Sequence, residues 1–235
     1  MNRLESSIFG EYYLERYMKS AILLGATGLT GGYLLNDLLK DSNYNKVILF
    51  SRSSIGIKHE KIEEHLIDLM KLENYKKDFV ADEVFCCIGT TKSKTPNKET
   101  YKKIDFGIPV TAAKLCRENR IETFLVISAL GADANSSVFY NKVKGEMQHQ
   151  VLEQGIPNTY IFQPSLIAGD REEKRFFEKL AIKGFKIFNP LMIGSLRKYR
   201  SIHPKTIAKA MHICADKGFS KILIESDEIQ QIASD

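Results

Sequence analysis

The 235-residue chain lacks the features that would divide it into parts or place it in a membrane. It has no linker rich in proline, serine or glycine, no low-complexity tract and no internal repeat, so we expect a single domain over residues 1–235. It also lacks the short apolar core of a signal peptide and any run of about 18 apolar residues. These absences predict a protein without a membrane span that is located in the cytoplasm.

Cysteine and histidine are too scattered to indicate a metal site or a disulfide framework. None of the four cysteines has C-x-x-C spacing, and Cys86 and Cys87 lie inside an apolar run, which favours buried free thiols. The five histidines have no ligand spacing with one another or with cysteine. We therefore expect no metal.

Neither sign of charge dominates the sequence. The chain has 34 Lys+Arg against 29 Asp+Glu, a formal charge of +5, and its basic residues are spread along the whole length. A nucleic-acid-binding protein would concentrate them on one face, so we expect no nucleic-acid partner. A small positive net charge favours the binding of a small polyanionic cofactor.

Short strand-like runs alternate with helical patterns along the chain. This alternation predicts an α/β fold with a doubly wound, mostly parallel sheet, because short right-handed crossovers join parallel strands. We expect strands near 21–25, 46–50, 64–67, 83–88, 122–128, 158–163 and 222–225, and helices near 29–40, 105–119, 138–154, 171–183 and 204–216.

The two ends of the chain depart from this alternation. Residues 1–20 carry apolar side chains on one helical stripe, which predicts an extra amphipathic helix packed on the domain or on a second subunit. Membrane attachment is the weaker alternative, since the segment has little positive charge. From about residue 164 to 235 the alternation of strand-like and helical patterns becomes less regular, which indicates a small C-terminal substrate region.

A glycine turn follows the first predicted strand. Gly25, Gly28 and Gly31 are spaced G-x-x-G-x-x-G and open the first predicted helix. Such a turn presents bare backbone N–H groups at a helix N-terminus, where the amides and the helix dipole both favour a diphosphate. The pattern predicts a dinucleotide site, with a ligand-free glycine turn as the alternative.

The end of the second predicted strand indicates which dinucleotide is bound. An NAD site places a carboxylate about 20 residues after the glycines, whereas an NADP site places a cation there. The corresponding position holds Ser51 and Arg52 and no acid. This favours NADP(H), with Arg52 binding the 2′-phosphate. The alternative is that Arg52 is a solvated loop residue. Asp68, after the third strand, either reaches the adenine or caps a helix.

Two further strand ends carry small or reactive residues. The fourth strand runs into Gly89 and Thr90, which would let a ribose and nicotinamide pass close to the backbone, although a plain turn uses the same residues. The fifth strand ends at Ser128. Tyr140 and Lys144 follow at i and i+4 of a predicted helix and so lie on one face.

These three side chains form a set suited to carbonyl reduction. The ammonium of Lys144 would lower the pKa of the Tyr140 phenol and bind the nicotinamide ribose. Tyr140 would then pass a proton to a carbonyl oxygen that Ser128 holds, while hydride reaches the carbon. The set predicts Ser128, Tyr140 and Lys144 as catalytic residues.

The motifs resemble those of a known superfamily. Gly25 to Gly31, Ser128, Tyr140 and Lys144 are similar to the atypical branch of the short-chain dehydrogenase/reductases. The blocks 85–92 and 128–146 look more closely like the Tat-interacting-protein oxidoreductase family, NADPH-binding Rossmann proteins, and the similarity runs from about residue 19 onwards. The resemblance implies a Rossmann-like fold and cofactor contacts at Gly25, Thr27, Gly28, Leu29, Thr30, Gly31, Arg52, Gly89 and Thr90, with Pro164 along the nicotinamide.

Two departures from the family pattern keep two functions open. Relatives often carry Arg-Pro-Gly where this chain has Gln163-Pro164-Ser165, and the helical asparagine of the superfamily's proton relay has only Asp105 as its nearest counterpart. Several members of this branch hold NADPH as regulators. We therefore expect an NADP(H)-dependent reductase of a small carbonyl substrate, or an NADPH-binding regulator that contacts a partner protein; a homo-oligomer fits either.

Overall fold

The computed structural model describes residues 18–168 and 194–234, built around a parallel sheet. Seven strands are hydrogen-bonded in the order β3-β2-β1-β4-β5-β6-β7, and every neighbouring pair is parallel. The strands are β1 (Lys19–Leu24), β2 (Tyr44–Ser51), β3 (Ile62–Leu66), β4 (Glu83–Cys86), β5 (Thr123–Ile127), β6 (Asn158–Gln163) and β7 (Leu223–Glu225). The strand order reverses between β1 and β4, which opens a crevice at their carboxyl ends. The predicted doubly wound parallel sheet is confirmed.

Helices cover both faces of this sheet. They are α1 (Leu29–Lys40), α2 (Lys98–Lys102), α3 (Ile108–Glu118), α4 (Phe139–Leu152), α5 (Pro204–Lys217) and α6 (Ser226–Ser234). A π-helical turn over Lys103–Gly107 joins α2 to α3, and short 3-10 helices cover Leu69–Tyr75 and Gly194–Tyr199.

The core has two layers, one on each side of the sheet. In β1, Ala21 and Leu23 point to a layer that includes apolar side chains of α1, α5 and α6. Ile22 and Leu24 point to the other layer, which includes side chains of α3 and α4. Successive side chains of a strand alternate between faces, and a parallel sheet buries both. This double burial explains the continuous apolar runs in the sequence.

A buried polar cluster lies at the amino ends of the strands, opposite the crevice. Glu83 is 2 % exposed and accepts hydrogen bonds from the Tyr44 hydroxyl and from Lys19 Nζ. Lys19 Nζ also donates to the Ala215 carbonyl of α5 at 3.2 Å. On the same helix, His212 Nε2 lies 2.8 Å from Asp41 Oδ2. The cluster ties α5 to β1, β2 and β4.

The observed elements differ from the expected ones mainly at their ends. The helix expected near 105–119 begins earlier, at Lys98, because the Asn97 side chain accepts a hydrogen bond from the Thr100 N–H and caps it. Beyond residue 204, α5, β7 and α6 belong to the main core. The helix expected near 171–183 and nearly all of the one expected over 1–20 fall outside the described residues.

Within the described ranges, no helix is long and apolar enough to cross a bilayer. The same residues contain no group of three or more His, Cys, Asp or Glu side chains that could hold a metal ion. The cysteines are free thiols: Cys86, Cys116 and Cys214 are buried, and Cys87 is partly buried.

Candidate functional site

The glycine turn brings the end of β1, the start of α1 and the end of β4 into close contact. Gly25 has φ +90°, and a Cβ at this position would lie 2.8 Å from the Cys87 carbonyl oxygen. A Cβ at Gly31 would lie 2.0 Å from the Gly25 carbonyl oxygen. Both glycines are therefore required for the backbone packing of the turn.

The start of α1 has the properties expected of a phosphate site. Gly28 is its N-cap, offers no side-chain cap, and no acidic residue lies in the first turn. Thr27, Gly28 and Leu29 are exposed, whereas Thr30 and Gly31 are buried. The first backbone N–H groups therefore face the crevice without side-chain partners, at the positive end of the helix dipole.

At the end of β2, Ser51 and Arg52 have different environments. Ser51 is buried, and its hydroxyl donates a hydrogen bond to the Ser53 carbonyl at 2.8 Å. Arg52 is exposed. Of the two predicted phosphate ligands, the guanidinium is the one that faces solvent.

An acid that the sequence analysis did not single out lies beside this loop. Glu64 on β3 accepts hydrogen bonds from the Ser54 hydroxyl (2.7 Å) and the Ile55 N–H (2.9 Å). Strand β3 pairs with β2 in parallel, which brings the carboxylate to the loop that follows β2. The carboxylate is held by the loop's own donors.

Asp68 acts as a cap in this structure. Its carboxylate accepts a hydrogen bond from the Met70 N–H at 3.0 Å and is the N-cap of the 3-10 helix that follows β3. Of the two roles expected for Asp68, the geometry supplies the capping role directly.

The loop after β4 is fastened to α2 and the π-helical turn. The Thr90 N–H donates to Asp105 Oδ2 at 2.8 Å, and the Tyr101 hydroxyl donates to the Thr90 carbonyl at 3.3 Å. The hydroxyls of Thr90 and Thr95 lie 2.8 Å apart. These bonds fix the backbone at Gly89 and Thr90, where we expect the cofactor to pass.

One face of α4 carries Tyr140, Lys144 and Gln148, which follow one another at four-residue intervals. Gln148 Nε2 donates to the Ser128 hydroxyl oxygen at 2.6 Å. Gln163 Nε2 in turn donates to Gln148 Oε1 at 3.3 Å. Ser128, Gln148 and Gln163 are all buried, so this chain of hydrogen bonds positions the Ser128 side chain away from bulk water.

Lys144 is buried in an ion pair with Asp105. The Nζ and Oδ1 atoms lie 2.9 Å apart, and the side chains are 3 % and 1 % exposed. Lys144 Nζ also donates to the Ile127 carbonyl at 3.4 Å, at the end of β5. A Cβ at Gly89 would lie 3.9 Å from Nζ, so the backbone at the end of β4 passes close to the ammonium. The ammonium thus lies where the ends of β4 and β5 meet α4.

The electrostatics of Tyr140 and Lys144 differ from the expectation. Burial lowers the pKa of Lys144, but Asp105 and Tyr140 together raise it above its usual value. Tyr140 is 41 % exposed, yet burial is the largest influence and raises the pKa of its phenol. Lys144 lowers that pKa, as expected, and Asp105 opposes it. In the free protein the phenol therefore stays protonated.

The structure groups most of the predicted site residues at the carboxyl ends of the strands. Ser128 directly follows β5, and its N–H donates to the Phe162 carbonyl of β6 at 2.7 Å. Pro164 directly follows β6, is buried, and its carbonyl accepts from the Leu130 N–H at 2.9 Å. The loop after β5 is thereby tied to the segment expected along the nicotinamide.

Sequence reasoning missed Gln148 and the direct pairing of Asp105 with Lys144. A signal for Gln148 exists, because it lies four residues after Lys144 on the same helix face. The pairing with Asp105 depends on the π-helical turn, which leaves no recognisable mark in the sequence.

The reversal of strand order, the glycine turn and the uncapped helix start together define a nucleotide-binding α/β protein of the Rossmann type. The model of the NAD dependent epimerase/dehydratase family matches residues 21–154. The chain belongs to this family, whose members bind NAD(P).

Two curated relatives also confirm the resemblance found in the sequence. Protein HTATIP2 of Rattus norvegicus is 33 % identical over 171 residues, which cover 71 % of this chain and 70 % of that protein. Protein FMP52, mitochondrial, of Debaryomyces hansenii is 28 % identical over 207 residues, which cover 84 % of this chain and 88 % of that protein. The similarity to Tat-interacting and FMP52 proteins thus extends over most of the chain.

Solved structures with the same fold are more distant in sequence. MoeE5, in complex with UDP-glucose and NAD, superposes with a TM-score of 0.64 at 13 % identity, covering 92 % of this chain and 81 % of that chain. The Bordetella bronchiseptica enzyme WbmH, in complex with NAD+, also has a TM-score of 0.64 at 13 % identity. The match covers 85 % of this chain and 73 % of that chain. At this identity the likeness shows the fold.

The expectation of a cytoplasmic protein is wrong. Relatives from Scheffersomyces stipitis, Debaryomyces hansenii, Meyerozyma guilliermondii, Candida albicans and Aspergillus niger are all named as mitochondrial proteins. The expectation depended on the lack of a long apolar run, which tests for secretion and membrane insertion only. Mitochondrial targeting segments are amphipathic and basic, so this criterion does not detect them.

Proposed function

We propose that this protein binds NADP(H) and uses it to reduce a small carbonyl compound. The observation that carries the proposal is the convergence of a buried, hydrogen-bonded Ser128 and a buried Lys144 at the end of β5, with Tyr140 on the same helix face as Lys144. This combination supplies a carbonyl binder, a cation and a proton donor beside the predicted nicotinamide site.

The residues of the crevice fit a dinucleotide phosphate. The uncapped start of α1 offers N–H groups to the diphosphate, and the exposed Arg52 offers a charge-assisted contact to a 2′-phosphate. Lys144 Nζ has three N–H donors; it donates to the Ile127 carbonyl and forms an ion pair with Asp105, and it would also donate to a ribose hydroxyl. When bound, NADPH supplies the hydride.

Ser128 and Tyr140 would act on the carbonyl oxygen. Because Gln148 donates to the Ser128 oxygen, the Ser128 hydroxyl keeps its own proton available for the substrate. Tyr140 remains a protonated phenol in the free protein, which is the form that a proton donor requires. The two groups would hold the oxygen and deliver its proton as the carbon receives hydride.

The test is NADPH oxidation over a panel of aldehydes, ketones and quinones. We expect Tyr140→Phe to keep NADPH affinity and to lose roughly 10²- to 10⁴-fold in rate, the usual contribution of a positioned proton donor. Tyr75→Phe, which also removes one tyrosine hydroxyl, is the matched control and should turn over at the parent rate. Intact NADPH binding without turnover on any member of the panel would replace this proposal with the regulator hypothesis.

A further inference from the structure

Asp105 is the one carboxylate that the described structure places in direct contact with the Lys144 ammonium. The pair lies on the π-helical turn and on α4, two elements that pack against each other. Asp105 is completely buried and also accepts the Thr90 N–H at 2.8 Å. One carboxylate thus holds both the ammonium beside Tyr140 and the backbone of the loop after β4.

A buried ion pair with this geometry behaves as a nearly neutral unit towards its neighbours. Opposite charges 2.9 Å apart largely cancel each other's field at the Tyr140 phenol, which both of them influence. Among the residues that the structure describes, the other titratable groups that face the pair are Tyr101 on α2 and Cys86 on β4. The ring centroid of Tyr101 lies 6.4 Å from that of Tyr140. Burial keeps the Cys86 thiol protonated, and burial likewise raises the pKa of Tyr101 above its usual value. Neither group adds a charge at neutral pH.

We propose that Asp105 is a positioning residue of the reductase site, which neutralises the Lys144 ammonium and so keeps Tyr140 in its proton-donating form. The proposal rests on the proposed function and adds to it the protonation state of Tyr140 before substrate binds. A lysine without this partner would favour the phenolate, which accepts a proton and suits alcohol oxidation. A compensated lysine favours the phenol, which suits carbonyl reduction.

The first test measures Tyr140 ionisation in the free protein, without substrate. The sequence contains no tryptophan, so phenolate absorbance is read without interference. The difference between the parent and Tyr140→Phe isolates one tyrosine, and pH-jump stopped-flow reads it before alkaline unfolding. Asp105→Asn keeps an oxygen that accepts the Thr90 N–H and removes the charge. We expect it to move the Tyr140 transition to lower pH by roughly one unit or more.

A double variant keeps the test decisive even if Asp105→Asn folds poorly. Asp105→Asn with Lys144→Met removes both charges, so the Tyr140 transition should lie close to that of the parent. If Asp105 did not compensate Lys144, loss of the ammonium alone would move the transition to higher pH. Asp78→Asn, which removes an exposed carboxylate, is the control for charge removal and should leave the titration unchanged.

The outcomes separate this proposal from the proposed function. A titration of Asp105→Asn that superimposes on the parent, or a double variant that titrates at higher pH, overturns the role of Asp105. These readings are independent of turnover, so they stand even if the substrate panel shows no reduction. With an active protein, the alkaline limb of the reduction rate should also move to lower pH in Asp105→Asn, and an unmoved limb would contradict the proposal.

Discussion

At the scale of single residues, the proposed preference for NADP(H) depends on Arg52. It is exposed directly after β2, and the nearby Glu64 carboxylate is occupied by the Ser54 hydroxyl and the Ile55 N–H. The loop's own donors therefore hold this carboxylate against the loop. The guanidinium remains as the group that a 2′-phosphate would meet.

Arg52→Ala should weaken NADPH binding and leave NADH binding nearly unchanged. A hydrogen bond to a charged group contributes about 1.5–3 kcal/mol, which corresponds to a loss of roughly 10- to 150-fold in affinity. Calorimetric titration of both cofactors measures the effect. Arg117→Ala, on α3, removes one arginine away from the crevice and should bind like the parent. Equal affinity of the parent for NADPH and NADH would refute this assignment.

At the residue scale, the relative placement of two side chains was predictable where their spacing is local in sequence. Tyr140 and Lys144 are one helical turn apart, so their spacing alone places them on one face. Gln148 and Asp105 gain their roles from contacts with Ser128 and Lys144, 20 and 39 positions away by residue number. Such contacts depend on the packing of elements, which the spacing of residues in one sequence does not reveal.

At the scale of elements, two adjacent glycines at the start of α1 differ in how closely they approach the turn that precedes the helix. A Cβ at Gly31 would lie 2.0 Å from backbone, whereas a Cβ at the adjacent Gly32 would find nothing nearer than 3.5 Å. The first helix can approach the strand end only through Gly31. Gly32 is exposed in the helix and has no such constraint.

Gly31→Ala should therefore destabilise the protein, while Gly32→Ala should not. Forcing a methyl group into this contact costs about 1–3 kcal/mol of unfolding free energy. In Gly32→Ala, the gain in helix propensity is about 0.5–1 kcal/mol. Urea denaturation of the two variants measures both changes, and NADPH titration should show loss of binding in Gly31→Ala alone. Equal stability of the two would contradict the observed packing.

Element type was predictable from the sequence, and element boundaries only in part. The expected helix at 29–40 coincides with α1, and the expected strand at 158–163 coincides with β6. The helical stretch expected from residue 105 begins at Lys98 and contains a π-helical turn. Periodicity indicates a helix through this region, but it does not resolve the extra residue that a π turn accommodates.

At the scale of the whole molecule, the buried cluster around Glu83 should make stability depend on pH. Burial raises the pKa of Glu83 more than Tyr44 and Lys19 lower it. The native state then holds the proton more tightly than the unfolded chain does. Its contribution to stability is present in acid and is lost as the pH rises from about 4.5, the usual glutamate value, through the raised value.

Glu83→Gln should remove this part of the pH dependence. We expect the unfolding free energy of the variant, relative to the parent, to increase as the pH rises from 5 through neutrality, because the variant has no carboxylate to ionise there. Chemical denaturation at a series of pH values measures the difference. Glu122→Gln, at an exposed position, is the control. Parallel curves for the parent and Glu83→Gln would show that Glu83 does not titrate in this range.

The packing of α1 against α5 also sets a delay during synthesis on the ribosome. Leu34, Leu35 and Leu38 of α1 share their core layer with Ile207 and Met211 of α5. At about 5–20 residues per second, the 163 residues between Lys40 and Pro204 take on the order of 8–33 s to emerge. During that interval the α1 leucines can pack against strands such as β1 and β2 but not against α5. The nascent chain therefore exposes the apolar face of α1 that α5 later covers, for many seconds. Chaperones that bind nascent chains cover surfaces of this kind.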